Sequence, residues 1–174
     1  MMKMSREILF RGKLDWHWDG INILYAEEAY KDGWMYGQLA RNAYGMAWII
    51  GHIVGWNEDY IYPKYWVPVD PKTVGQYTGI KIGGQKLFEH DVIRYRETSL
   101  GDWRYGVVVW CGDRDYPAFD VEPWIDCGSN GLSYIVAECE AEIIGNKWDN
   151  PELLEVLGDE ETCAGRQSAS AKDY

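Results

Sequence analysis

Three histidines, four cysteines and a short run of carboxylates are the residues of this chain best equipped for chemistry. His17, His52 and His90 lie far apart, and none stands at zinc-ligand spacing from Cys111, Cys127, Cys139 or Cys163. No two cysteines form a C-x-x-C pair, so free, structural thiols are expected, with a disulfide or a metal as the other readings. Asp113, Asp115, Asp120, Glu122 and Asp126 could offer oxygen ligands to calcium, but the glycine-containing loop spacing of such sites is absent. A solvated acidic loop is the simpler reading. His90 stands between Glu89 and Asp91, as an acid–base residue or as a turn residue, and the turn is the simpler case. Gly83 and Gly84 lack the Lys and Ser/Thr of a phosphate loop and read as a turn. No nucleophile elbow, zinc-protease helix or dinucleotide fingerprint is present. No catalytic residue, metal or cofactor is therefore assigned, and a non-enzymatic role is expected.

Binding surfaces are the better prospect. Residues 94–105 interleave arginines with Tyr95, Trp103 and Tyr105. Such a patch can stack bases and follow phosphates; the other reading is a hairpin around Gly101 whose arginines pair with nearby acids. Trp16 and Trp18 share a face if their segment is extended, and an exposed pair of this kind can anchor a partner. Glu138, Glu140 and Glu142 would share one face of a strand, where like charges also discourage edge-to-edge aggregation. These five residues form the candidate partner surface.

The elements that must position these residues follow from pattern. Strands are expected at residues 6–10, 34–39 (broken at Gly37), 47–54 (bent at Gly51), 74–77, 87–96, 106–111 and 117–122. Residues 60–69, with Pro63 and Pro68, should cross a surface rather than enter a central sheet. Residues 79–84 read as a turn region. Residues 134–144 alternate most cleanly and predict one strand. Helices are expected at 21–30 and after Asn150, which would cap it, with Pro151 in the first turn. The result is a mainly β protein with one or two short helices and a small, SH3-like barrel. A single domain over residues 1–157 is expected, divisible into an N-terminal β subdomain to about residue 73 and a barrel from about 74. Residues 158–174 read as a flexible polar tail.

The sequence resembles the YopX family. Four blocks carry the resemblance: REILFRGK at 6–13, Trp34-Met35-Tyr36-Gly37, the central 69–79 block continuing at 87–93, and residues 143–154. The resemblance implies a β-rich fold and a phage or prophage context in a bacterium, and it brings no catalytic residues. One departure is local: His90 stands where the family's element usually has Gly. If that position needs positive φ, His90 strains the turn.

The chain has 174 residues and a net charge of −11. Residues 1–105 hold 13 Lys+Arg and 13 Asp+Glu; residues 106–174 hold 4 and 15, so 4 − 15 = −11 falls entirely in the second part. The net charge disfavours nucleic acid and anionic membranes as partners, less so for residues 94–105, which lie in the neutral part, and the acidic part is the first place to look for a basic partner. No apolar run reaches membrane-helix length and no export signal is seen, so a cytoplasmic location is expected. The leading expectation is a phage- or prophage-type accessory protein acting by protein–protein contact, as a homo-oligomer or on a host or phage protein. The alternatives are an acidic decoy or inhibitor of a basic host protein, and a small ligand-binding protein or enzyme with an unrecognised pocket.

Overall fold

A computed structural model describes residues 7–15, 27–112, 116–125 and 127–157. The chain divides into two units, Met1–Gly79 and Ile80–Tyr174. It is mainly β, as expected.

In the first unit the strands are β1 (Phe10–Lys13), β2 (Tyr30–Lys31), β3 (Trp34–Arg41), β4 (Ala47–Ile50), β5 (Ile53–Trp56), β6 (Ile61–Pro63) and β7 (Trp66–Val69). β8 (Gly75–Ile82) begins here and continues into the second unit. The sheet runs β7-β4-β3-β1-β8, with β2 also paired to β3, and the described pairings of β1, β3, β4 and β7 are antiparallel. Alternation selects its buried side: Ala47 and Ile49 from β4, and Val67 and Val69 from β7, pack with Leu14, Met35 and Val74. The first strand begins at Phe10 and runs through Gly12, later than the sequence reading placed it. β3 is not broken at Gly37. A Cβ there would lie 2.5 Å from the Ile50 carbonyl oxygen and 3.1 Å from the Tyr65 hydroxyl, so glycine admits close neighbours to an intact strand. The bend at Gly51 is present, separating β4 from β5. The segment expected to cross a surface does so only in part: Val67 and Val69 of β7 are buried in the core, with β4 paired on one side and Leu14 bridged to Val69 on the other, and Pro68 is tolerated because its carbonyl still accepts from Asp15 N at 3.3 Å.

The helix expected at residues 21–30 falls largely outside the described residues. Glu27–Ala29 forms a single 3-10 turn, and Tyr30 is already in β2.

The second unit contains β9 (Gln85–Phe88), β10 (Asp91–Arg96), β11 (Arg104–Gly112), β12 (Pro117–Glu122), α1 (Gly131–Glu138) and β13 (Glu140–Asn146). β8 extends through Gly79, and the turn into β9 narrows to Gly83 and Gly84. Both have positive φ (57° and 84°), the requirement of a two-residue type I′ hairpin. The expected strand over 87–96 is interrupted by the turn at Glu89 and His90. The four-stranded sheet has the order β12-β11-β10-β13. Among the described residues no pairing joins β12 to β13, so the expected barrel is not closed. Its core gathers Ile82, Leu87, Ile93, Tyr95, Val108 and Val121 with Leu132 and Ile135 of the helix.

The strand expected over 134–144 is the main correction. Residues up to Glu138 belong to α1, and only the part from Glu140 is a strand. The helix start is fixed from outside the local pattern. The Asn130 side chain accepts from Ser133 N at 2.7 Å. Asp120, fully buried, accepts from Leu132 N at 3.0 Å and from Val121 N at 2.9 Å through one oxygen. Tyr116 donates its hydroxyl to the other oxygen at 3.0 Å. Pro151–Val156 is a 3-10 helix, and Asn150 makes no side-chain cap to it. Asn146 instead organises the preceding turn, accepting from Trp148 N and Asp149 N, both at 3.0 Å. Residues 158–174 lie outside the described residues.

Candidate functional site

The arginine–aromatic patch resolves into a closed arrangement. Residues 94 and 96 alternate onto one side of β10, and the antiparallel register sets Arg94 opposite Glu142 and Arg96 opposite Glu140. Arg94 Nε donates to Glu142 at 2.8 Å, and Arg96 Nε donates to Glu140 at 2.8 Å. The Trp103 ring covers both guanidinium groups, 4.4 and 4.3 Å from its centre. Arg104 lies 3.6 Å from Glu97. The hairpin reading, with its arginines paired to acids, is the one observed. Each arginine faces a carboxylate, so little positive field remains for a phosphate backbone.

This geometry also divides the glutamate row. Glu140 and Glu142 belong to the ion-paired face of β13, whereas Glu138 is the exposed last residue of α1. Trp16 and Trp18 lie outside the described residues, as do Asp113, Asp115 and Asp126. No metal-ligating cluster occurs among the described residues. Cys127 and Cys139 are free, but Cys111 is disulfide-bonded, which corrects the expectation of free thiols there. Burial, then the charge of Glu97, pushes the Cys139 thiol up, the opposite of an activated nucleophile.

His90 does adopt positive φ, 74°. Its amide donates to Val108 O at 2.8 Å, and its carbonyl accepts from Lys147 N at 3.0 Å. Phe88 N donates to Asp91 across the same turn at 2.8 Å. The imidazole meets Trp148 edge-on, with centres 5.9 Å apart. Burial lowers the Lys147 ammonium from its ordinary value, partly opposed by Glu89 and Glu122. Two backbone bonds and a ring contact hold this turn in place.

Among the described residues, the hairpin of β5 and β6 carries a group of exposed apolar side chains. Trp56 is 80% exposed, Ile61 66%, Tyr60 65% and Val54 60%, with Ile53 and Tyr62 near half. Ile53, Trp56, Tyr60 and Ile61, with Asn57, Glu58 and Asp59, line an open concavity of about 520 Å³. The tip is tied by hydrogen bonds: Asn57 Oδ1 accepts from Asp59 N at 3.0 Å and Tyr60 N at 2.7 Å. Its Nδ2 donates to the Tyr62 hydroxyl at 2.9 Å. At the base, Lys64 N donates to His52 O at 2.9 Å, and the Lys64 ammonium meets Glu28 at 2.7 Å. The Tyr65 hydroxyl donates to Tyr36 O at 2.7 Å. The chain thus fixes both ends of a ribbon whose apolar side chains face water. The sequence reading placed residues 60–69 on the surface but did not single out Trp56, Tyr60 or Ile61.

Comparison with protein families matches the YopX protein model over residues 47–155. The chain belongs to the YopX family. The exposed hairpin, the His90 turn and the arginine–tryptophan arrangement all fall within this family segment, while β1, β2 and β3 precede it. Neither the curated proteins nor the solved structures yield a match. No helix among the described residues is long and apolar enough to cross a membrane.

Proposed function

We propose that this YopX-family chain is a phage- or prophage-type accessory protein that works by protein–protein contact. The β5–β6 hairpin is its contact surface. The supporting observation is the exposure of Trp56, Tyr60 and Ile61 on a ribbon whose tip and base are both hydrogen-bonded. Aromatic side chains of this kind dominate interface energetics because they bury large area at small entropic cost. The acidic-decoy alternative draws less support, since Glu140 and Glu142 already engage arginines of their own chain.

The test is a photo-crosslinking amino acid placed at position 56 and, separately, at position 100, in cells producing the protein. Leu100 is 97% exposed but belongs to the β10–β11 loop. Adducts at 56 and none at 100 are expected. Equal labelling at the two positions, or none at 56, refutes the hairpin as the contact surface.

A further inference from the structure

Resting on the reading of the hairpin as a contact surface, we propose that its concave face takes a basic segment of a partner protein, seating an arginine or lysine side chain on Trp56 and Tyr60 beside the carboxylates of Glu58 and Asp59. The register sorts the ribbon into two faces. Ile53 stands opposite Pro63 and Trp56 opposite Ile61, so these four share one face, while Gly55 and Tyr62 lie on the other. Val54 falls at the register shift between Ile53 and Gly55. Ile53, Trp56 and Ile61 line the concavity of about 520 Å³ together with Tyr60 and the tip residues Asn57, Glu58 and Asp59. One face alone therefore carries the site. Its volume lies within the roughly 300–1,000 Å³ of small-ligand pockets, so it admits a few side chains and not a broad protein face.

Charge decides what those side chains carry. Asn57 commits its amide to Asp59 N, Tyr60 N and the Tyr62 hydroxyl. Glu58 and Asp59 are exposed and make no ion pair among the described residues. Lys64, at the base of the hairpin, is held by Glu28. The charged residues lining the concavity are thus both negative. An anion is repelled there. A wholly apolar group would strip water from two carboxylates and offer no hydrogen bond in return. A cation on an apolar stem suits every part of the lining. Its stem packs on Ile53 and Ile61, its charge sits over the rings, and its N–H groups donate to the carboxylates.

The second unit holds the same combination complete. There Trp103 covers the Arg94 and Arg96 guanidinium groups at 4.4 and 4.3 Å, and Glu142 and Glu140 accept from them. Among the described residues, the hairpin presents a tryptophan, a tyrosine and two carboxylates with no cation upon them. The cation is the missing member, and the partner supplies it. Arginine fits better than lysine, because a planar guanidinium can stack on a ring and still offer a fork of N–H groups to a carboxylate.

Fluorescence anisotropy of a labelled hexapeptide of alternating leucine and arginine, with the intact chain in about 0.15 M salt, tests the proposal. Glu58→Gln combined with Asp59→Asn should weaken binding about fivefold or more. Trp56→Leu, which keeps an apolar side chain but removes the ring, should do the same. Glu138→Gln combined with Glu155→Gln makes the same change of net charge in the second unit and should stay within about twofold of the unaltered chain. Thermal melts confirm that each variant folds. In cells, the crosslink from position 56 should fall when the two tip substitutions are added. Equal losses from the two charge-matched pairs would reveal general attraction to an acidic chain and overturn the proposal, as would a tip pair without effect. If position 56 still crosslinks at full strength in the tip variant, the contact surface stands and only its basic occupant is wrong. If position 56 gives no adduct in either background, the contact-surface reading falls as well.

Discussion

Substituting His90 with glycine and with alanine isolates the backbone strain of its turn. Both substitutions remove the imidazole and its edge contact with Trp148, worth about 0.5–1.5 kcal/mol. They differ only in what they ask of the backbone at φ 74°. An L-residue in the left-handed region costs about 1–2 kcal/mol, which glycine escapes. Glycine gives back about 0.4–1 kcal/mol through the extra freedom of the unfolded chain. The difference leaves His90→Gly about 1 kcal/mol more stable than His90→Ala. At an unstrained position the sign is the reverse, so the order of the two variants is the test. The amide bond to Val108 and the carbonyl bond from Lys147 keep the turn from relaxing to negative φ. Urea unfolding followed by tryptophan fluorescence gives the difference by linear extrapolation at equal slope. The matching shift in melting temperature is about 2–4 °C for a chain of this size. An alanine variant as stable as the glycine variant refutes the argument.

Asp120→Ala should destabilise the second unit by about 3 kcal/mol, because it removes the buried acceptor of Leu132 N and Val121 N and the acceptor of the Tyr116 hydroxyl; a loss below about 1 kcal/mol in urea unfolding contradicts this. Glu140→Gln combined with Glu142→Gln should free Arg94 and Arg96 and lengthen retention on heparin. Unchanged elution would mean that the glutamates do not neutralise the patch. The hydrogen bond and then the charge of Lys64 lower the Glu28 carboxyl below its ordinary 4.5. With the folded value depressed, the contribution at the hairpin base is present above the unfolded value and lost as pH falls through the folded one. Amide exchange around residue 64, corrected for intrinsic rates, should therefore speed up in acid, and should lose that pH dependence in Glu28→Gln.

How far the fold could be read depended on whether a residue's cause was local. β12 was legible to the residue because Pro117 and the alternation after it are local signals. The turn at His90 was legible through one substituted position, whose need for positive φ the structure bears out. The helix α1 was not, although Leu132, Ile135 and Cys139 lie at helical spacing on the core side. The glutamates at 138, 140 and 142 imposed a period of two across what is in fact a helix end and a strand start. What anchors the helix start is Asp120, twelve residues upstream of Leu132, whose carboxylate accepts from the Leu132 backbone N–H. A window confined to the segment cannot see that bond.

The candidate site was harder to read for a different reason. Apolar residues carry the same pattern whether the surface they cover is their own chain's or another's. Ile49 and Ile53 are both isoleucines of short strands four residues apart, yet one is fully buried and the other about half exposed. Periodicity assigns each a side of a strand, not the thing that covers that side. The distinction appears only once the chain's own packing is complete and some apolar surface is left over. In the first unit the core closes around Met35, Ile49, Val67 and Val69, and Trp56, Tyr60 and Ile61 remain outside it. A disordered loop could carry such residues by default, but this one is held by Asn57 at its tip and by Lys64 at its base. Ordering a segment costs about 1–2 kcal/mol per residue in backbone entropy. Two-stranded ribbons alone barely offset that cost in water. The hydrogen bonding of an exposed apolar ribbon is therefore the physical reason to look for its partner at the hairpin, ahead of Glu140, Glu142, Arg94 and Arg96, whose charges are met within the chain.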